Sequence, residues 1–338
     1  MRDLIAKIQQ EQNLTQGEMR SVMMEIMSGR MIDADIRDFL LALNAKGFTV
    51  EEITAAAQTM RKFVVLLETK HEVILDTCGT GGDSKGTFNI STAVAFVVAA
   101  GGVIVAKHGN RSVSSRSGSA DVLESVGINL EMPHERLSAC LDSVGIAFMF
   151  AQRHHPAMKH VAAVRKALGV KTIFNILGPL TNPARATHQM VGVYNRELTA
   201  QFAQVLRVLG AERAVVVHGA DGLDEVTTAA ATFVSEFDGK DVRSYEVKPE
   251  DLGIRRAAEA ELKGGSPSEN AAIMTAVLQG RGTPAQMDIV ALNAGFALYA
   301  AGAAATVKAG LERARQVVAS GKAWEKLQQL KEYSHRGK

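Results

Sequence analysis

Aromatic residues are scarce in this 338-residue chain: Phe, Tyr and Trp together make up 5% of it, with a single Trp. A platform that stacks nucleobases needs an array of aromatic faces, so none is expected. An excess of one charge is also missing. The chain has 38 Lys and Arg against 36 Asp and Glu, a formal net charge of +2, whereas nonspecific nucleic-acid binding needs a concentrated basic face. Cysteine is nearly absent. Cys78 and Cys140 stand alone, without a CxxC or Cys/His spacing, which argues against a disulfide framework and against zinc. Both read as small buried residues.

Long apolar runs are lacking too. The most hydrophobic stretch, Ile90 to Ala106, is interrupted by Ser91, Thr92 and the Gly101-Gly102 pair, and reads as a buried helix, a turn and a strand rather than a membrane span. The opening MRDLIAKIQQEQ scatters charges through a segment with no apolar run, unlike a secretory signal. The expectation is a cytoplasmic protein whose partners include neither nucleic acid nor membrane. With 46% hydrophobic and 22% charged residues, a chain this long buries roughly three quarters of its unfolded surface and needs no covalent staples.

What is present divides into two textures. Residues 1–70 read as helices only. Met19, Val22, Met23 and Ile26 keep helical spacing, as do Ile36, Phe39, Leu40 and Leu43. Thr15 with Glu18 and Thr49 with Glu52 form capping boxes, and Gly47 sits where a helix C-terminal glycine belongs. From residue 71 to 338, β-rich runs (EVIL, VIVA, IAFMF, QMVGVY, RAVVVH) alternate with helical patterns such as Glu197 to Gly210. Such alternation predicts an α/β domain whose mostly parallel sheet is flanked by helices. Helices around residues 155–185 could pack with the small N-terminal all-helical domain. Ser266-Pro267-Ser268-Glu269 opens an alanine-rich, apolar helical region from Ala271 to Val307, expected in the core. The methionines and leucines of the helical domain (Met19, Met23, Met24, Met27, Leu40, Leu41) are more apolar surface than so small a scaffold easily buries, which predicts a homodimer formed there.

Three polar loops follow predicted strands. The first, DTCGTGGDSKGTFNISTA from Asp76 to Ala93, sets Gly79, Gly81, Gly82 and Gly86 among hydroxyls. It fails the Walker A pattern, because Thr87 stands where lysine should be. It also fails the dinucleotide fingerprint, because Ser84 replaces the third glycine. A glycine loop between strand and helix still offers free amides to an anion. The second loop, Lys107 to Gly127, mixes Lys107, Arg111 and Arg116 with Ser112, Ser114, Ser115, Ser117 and Ser119 after VIVA, a combination suited to several phosphate oxygens. The third, HGADGLDE from His218 to Glu225, offers Asp221, Asp224 and Glu225 as hard oxygen ligands. Magnesium is commonly held by one or two carboxylates together with substrate phosphates. His154, His155 and His160 could suggest a metal site, but RHHPAMKH begins a helix and brings no acidic partner.

GTGGD, NISTA, KHGNR, SGSADVLE, NILGPLTNP and HGADGLDE, in this order along nearly the whole chain, resemble the anthranilate phosphoribosyltransferases of tryptophan biosynthesis, relatives of the pyrimidine nucleoside phosphorylases. The resemblance implies a magnesium-dependent, dimeric enzyme that transfers 5-phosphoribosyl from phosphoribosyl pyrophosphate to the amine of anthranilate. Carried over by position, the phosphoribosyl pyrophosphate site would comprise Gly79, Gly82, Asp83, Thr87, Asn89, Ile90, Ser91 and Thr92. It would continue through Lys107, His108, Gly109, Asn110, Arg111, Ser112, Val113, Ser114 and Ser115 to Ser119. Magnesium would be held through Ser91, Asp224 and Glu225. Anthranilate would meet Gly79, His108, Asn110, Arg165 and Gly178. One departure stands out: VTTAAATF follows the acidic pair where relatives often have a Gly-Pro turn, which leaves the local loop path open. An aryl amine attacks as the neutral species, so no general base is assigned, and His108 is either a pocket wall or a weak proton acceptor. The competing expectation is a nucleoside phosphorylase that takes inorganic phosphate and a pyrimidine. The acidic pair favours the transferase.

Overall fold

The computed structural model describes residues 1–112 and 116–336. Its N-terminal helices run Arg2–Gln9, Gln16–Met27, Asp33–Lys46 and Val50–Arg61. Both capping boxes form: Thr15 accepts from the Glu18 amide and Thr49 from the Glu52 amide. Glu52 also anchors the bundle. Its buried carboxylate takes the amides of Thr49 and Leu14 and the Lys46 ammonium at 2.8–2.9 Å. Gly47 closes its helix at φ +84°, a conformation that costs glycine nothing.

Among the described residues a single seven-stranded sheet follows, with strands β1 (Leu75–Asp76), β2 (Val105–Gly109), β3 (Ile146–Phe150), β4 (His188–Gly192), β5 (Arg213–Gly219), β6 (Thr232–Phe237) and β7 (Val242–Val247). The spatial order is β3-β2-β1-β4-β5-β6-β7. The pairings from β3 across to β5 are parallel, and β6 and β7 add antiparallel edges. The expected EVIL strand shrinks to two residues, and the β6–β7 hairpin joins where no strand is expected. The alanine-rich region also divides, into Pro267–Leu278 and Pro284–Ala300, both opened by Ser/Thr caps followed by proline.

The sheet separates two cores. On β5, Val215 and Val217 enter one core while Ala214 and Val216 enter the other, as the period of two requires. The first core holds the helix Ile90–Ala100, with Phe96, Val97 and Val98 buried, against Pro284–Ala300. Each such side chain contributes roughly 1.5–3 kcal/mol. The second core continues from the N-terminal helices through Lys159–Leu168 and Ile173–Leu177 to the helix Glu197–Val208. Met19, Met23, Met27 and Leu40 are all buried within it, because the helix Gln16–Met27 packs chiefly on Val50–Arg61 and both it and Asp33–Lys46 also meet Lys159–Leu168. The premise that these side chains form a sticky surface is therefore corrected; Leu41 is exposed and Met24 half-buried.

Candidate active site

Strand order reverses at β1, whose neighbours β2 and β4 lead away in opposite directions. In open parallel sheets the crevice beyond the strand C-termini at such a point is the usual ligand site. The glycine loop leaves β1 there. Gly81, Gly82, Ser84 and Gly86 all have φ between 59° and 78°, a left-handed run that Ser84 adopts at a steric cost typical of functional loops. The loop is tied to the end of β4: the Thr80 amide donates to Gly192 O at 2.8 Å, and the Tyr194 amide donates to Thr80 Oγ1 at 3.1 Å.

The acidic loop leaves β5 and closes against the same place. A methyl group on Gly192 would lie 1.5 Å from the carbonyl oxygen of Asp224, so only glycine fits. Asp83, Asp224 and Glu225 converge. The Asp224 amide reaches Asp83 Oδ2 at 3.5 Å, and the Ser91 amide donates to Glu225 Oε1 at 3.1 Å. Burial, then the charges of Asp83 and Glu225, push the Asp224 carboxyl well above its usual range. Burial also lifts Glu225 to about 7, against the pull of Lys107. Clustered like charges are costly in a buried place, and a hard divalent cation would relieve them.

Asn293, on the helix Pro284–Ala300, holds the acidic loop from beneath. It accepts from the Val226 amide at 2.9 Å and donates to its carbonyl at 2.8 Å. No local sequence signal marks this buried asparagine. Asp221, one of the three acids considered as ligands, instead accepts from Thr227 Oγ1 at 2.7 Å and from the Leu223 amide. The departure VTTAAATF resolves in the same way. Thr227 Oγ1 accepts from the Ala229 amide, a hydroxyl-closed turn in the place of a Gly-Pro.

The basic loop after β2 is mixed. Lys107 is buried, its ammonium 3.3 Å from both oxygens of Thr77 and 3.5 Å from Ser91 Oγ. The Thr92 hydroxyl is buried without a partner among the described residues. Asn89 precedes the helix that begins at Ile90 without capping it: its side-chain amide donates to Ser117 O and its Oδ1 accepts from Asn270. Thr87 bridges to Lys263. Gly109 packs so tightly that a methyl group would strike Ser119 Oγ and the Phe148 ring. The Arg111 guanidinium is engaged by Asp121 and Glu124 at 2.6–3.0 Å, and the Ser112 amide also donates to Asp121. Val113, Ser114 and Ser115 lie outside the described residues.

His108 meets Gly178 of NILGPLTNP, its Nδ1 3.2 Å from the Gly178 carbonyl oxygen. A carbonyl only accepts, so Nδ1 carries the proton and Nε2 a lone pair. His155 Nε2 lies 3.1 Å from that nitrogen and must donate to it. The basic nitrogen of His108 is thus already occupied, which favours a pocket wall over a proton acceptor. Beneath them Asp76 accepts from the His108 amide at 3.1 Å and from Asn182 at 2.7 Å, and burial lifts its carboxyl to about 6. Asp76, Cys78 and His108 could each bring one ligand atom within 4.8 Å, but the hydrogen bonds just given occupy Asp76 and His108. Cys78 is half-buried rather than buried; Cys140 is buried as expected. His154 faces Val65 O and His160 packs beside Gly29, so the three histidines of RHHPAMKH disperse. Arg165, on the helix Lys159–Leu168, lies with its guanidinium 5.7 Å from the Phe174 ring centre, and burial lowers its pKa. No carboxylate among the described residues pairs with it.

The histidine pair makes a stability signature. Burial, reinforced by His154, lowers the His155 pKa from 6.5 to about 4. The unfolded chain takes up that proton near pH 6.5 and the folded chain only near 4. The His155 contribution is therefore whole above pH 6.5 and lost as pH falls towards 4, on the order of 3 kcal/mol in all. Asp76 acts in the opposite sense: its contribution is present below pH 3.8 and lost as pH rises through about 6. Urea unfolding at pH 4.5 and 7.5 separates the two, since the His155→Gln variant is expected to lose less stability on acidification than the wild type.

The family model for the helical bundle domain of the glycosyl transferase family matches residues 2–64, and the model for its a/b domain matches residues 71–324. An anthranilate phosphoribosyltransferase of Syntrophobacter fumaroxidans is 52% identical over 335 residues, 99% of each chain. One of Persephonella marina is 47% identical over 338 residues, the whole of both chains. Among solved structures, the anthranilate phosphoribosyltransferase of Thermus thermophilus superposes with a TM-score of 0.92 at 44% identity, covering 98% of each chain. That of Saccharomyces cerevisiae, in complex with PRPP (phosphoribosyl pyrophosphate) and Mg, superposes at 0.89 with 25% identity, covering 99% of this chain and 98% of its own.

Proposed function

This chain belongs to the family of anthranilate phosphoribosyltransferases, and from that membership we infer that it transfers the 5-phosphoribosyl group of phosphoribosyl pyrophosphate to the amine of anthranilate. The products are N-(5-phosphoribosyl)anthranilate and pyrophosphate, a step of tryptophan biosynthesis. The observation that carries the site assignment is the convergence of the half-buried Asp224 and Glu225 on Asp83 of the left-handed glycine loop at the sheet's switch point.

In the reaction the bond from ribose C1 to the pyrophosphate oxygen breaks, with the electron pair leaving on oxygen. The amine lone pair forms the new C1–N bond, and the nitrogen then sheds a proton. Negative charge grows on the leaving group, so fixed positive charge and amides aimed there do most of the catalytic work. The amides of Gly79, Gly82 and Asp83 and the ammonium of Lys107 are proposed for that part. Thr87, Asn89, Ile90 and Thr92 are proposed for the same part, with the unpartnered Thr92 hydroxyl offered to a phosphate oxygen. His108, Gly109, Asn110, Arg111, Ser112 and Ser119 are assigned to the far side. Arg111 must leave Asp121 and Glu124 to take part.

Ser91, Asp224 and Glu225 fit magnesium, since hard oxygens crowd there at a cost that a divalent cation offsets. When bound, the ion supplies charge neutralisation to the departing pyrophosphate. Arg165 is proposed to receive the anthranilate carboxylate, against a wall built by His108, Asn110, Gly79 and Gly178. With both His108 nitrogens occupied, no side chain is needed as a strong base for a neutral aryl amine.

Residues 1–70, with the helices near 155–185, are proposed as the helical domain, and 71–338 as the α/β domain. A homodimer through the helical domain remains our proposal, resting on exposed Ile32 (65%) and Leu41 (43%) rather than on the buried methionines. Light scattering at micromolar concentration is expected to give twice the chain mass; a monomer contradicts it. The free thiols of Cys78 and Cys140 suit a reducing cytoplasm. The function itself is tested by pyrophosphate release, which should require both anthranilate and phosphoribosyl pyrophosphate. Phosphate-dependent cleavage of uridine or thymidine would point to a nucleoside phosphorylase instead.

A further inference from the structure

Lys171 is a cation that neither the sequence motifs nor the resemblance assigns to the site, yet it reaches the glycine loop. It stands between the helices Lys159–Leu168 and Ile173–Leu177, on the side of the molecule that belongs to the second core. Its position is fixed at both ends. Gly169 closes the preceding helix in the left-handed conformation, and the Thr172 amide donates to Asn175 Oδ1 at 2.9 Å to start the next. From there the side chain crosses to the other face of the crevice. A methyl group on Gly82 would lie 3.1 Å from Lys171 Cε and 3.5 Å from Nζ. The ammonium rests 3.7 Å from the centre of the Tyr194 ring, whose own amide is tied to Thr80 of the same loop.

Of the other cations near the loop, Lys85 is paired with the carboxylate of Glu259 and Arg111 with those of Asp121 and Glu124, while Lys107 is held by the neutral oxygens of Thr77 and Ser91. Among the described residues no carboxylate pairs with Lys171. An aromatic face attracts a cation without neutralising it, so the charge remains available to an anion.

We propose that Lys171 is a substrate contact of the reaction assigned above: it holds the pyrophosphate end of phosphoribosyl pyrophosphate from across the crevice, opposite the glycine-loop amides. The pyrophosphate end is chosen because the loop that Lys171 covers is the one facing the carboxylate cluster. Gly79 lies against Asp224 Oδ2, and Asp83 beside the Asp224 amide. The position also links the two substrates, since Arg165 and Lys171 flank one helix end, one reaching for the acceptor's carboxylate and the other for the donor's diphosphate.

The proposal rests on the transferase reading, and the test separates them. Lys171→Met keeps the side chain's length and loses its charge; Lys171→Arg keeps the charge. For Lys171→Met the KM for phosphoribosyl pyrophosphate and the inhibition constant of magnesium pyrophosphate are expected to rise about tenfold. Inhibition by ribose 5-phosphate, which lacks the diphosphate, and the KM for anthranilate should change by less than about twofold. Lys171→Arg should restore most of the affinity. An active wild type beside a Lys171→Met variant with unchanged pyrophosphate affinity overturns the inference alone. Equal weakening of pyrophosphate, ribose 5-phosphate and anthranilate also overturns it, in favour of a structural lysine. A wild type inert towards both substrates overturns the transferase reading itself.

Discussion

Replacing Asp224 and Glu225 together with alanine is expected to lower turnover by roughly 10²- to 10³-fold at saturating substrates and to abolish the response to added magnesium. On the proposed reading the two carboxylates are the hard ligands at the crevice, where the charge of the leaving pyrophosphate must be met. The same substitution should leave thermal stability unchanged or raise it. Glu225 titrates near 7 in the folded protein against 4.5 in an unfolded chain. Its contribution to stability is thus present below pH 4.5 and lost as pH rises through 7. At pH 8 without metal these carboxylates are a burden on the fold, a cost typical of functional sites. Loss of activity with retained melting temperature marks a lost ligand set. Wild-type rates at limiting magnesium would show that the ion is held elsewhere.

The second large effect is expected at Arg165. Arg165→Ala should raise the apparent KM for anthranilate about ten- to a hundredfold, the scale of one lost charge-assisted hydrogen bond, with a much smaller change for phosphoribosyl pyrophosphate. The guanidinium is half-buried, has no carboxylate partner among the described residues, and is oriented by the Phe174 ring. Its desolvation is therefore uncompensated until an anion arrives. Arg165→Lys should recover part of the loss, because an ammonium cannot present the planar fork that fits a carboxylate. Steady-state kinetics with each substrate varied in turn separates the cases; equal losses for both would identify a structural arginine.

Local chemistry is legible in the sequence itself. The Thr15–Glu18, Thr49–Glu52 and Ser266–Glu269 boxes form as the spacing predicts, because a cap depends on residues three apart. The β-rich runs after VIVA and before HGADGLDE were legible for the same reason: a buried parallel strand announces itself by a short apolar run. The β6–β7 hairpin lies outside the expected strands, although Asp238-Gly239 between β-rich runs is a usable turn signal. What local pattern does not carry is contact at long range. The methionines of Gln16–Met27 read as unsatisfied because part of their cover, the helix Lys159–Leu168, lies more than a hundred residues away. His155 closing the free nitrogen of His108, Asn293 supporting the acidic loop and Lys171 lying over Gly82 all depend on which strands the sheet places side by side. The motif residues could be named from sequence, but the groups that hold them in position could not.

The most direct test follows the fluorescence of anthranilate in the presence of the purified protein. With phosphoribosyl pyrophosphate and magnesium the signal should fall as the amine is phosphoribosylated, and it should hold steady when magnesium is chelated or phosphoribosyl pyrophosphate is omitted. An unchanged signal under the complete conditions, with uridine or thymidine cleaved by inorganic phosphate instead, would contradict the assignment.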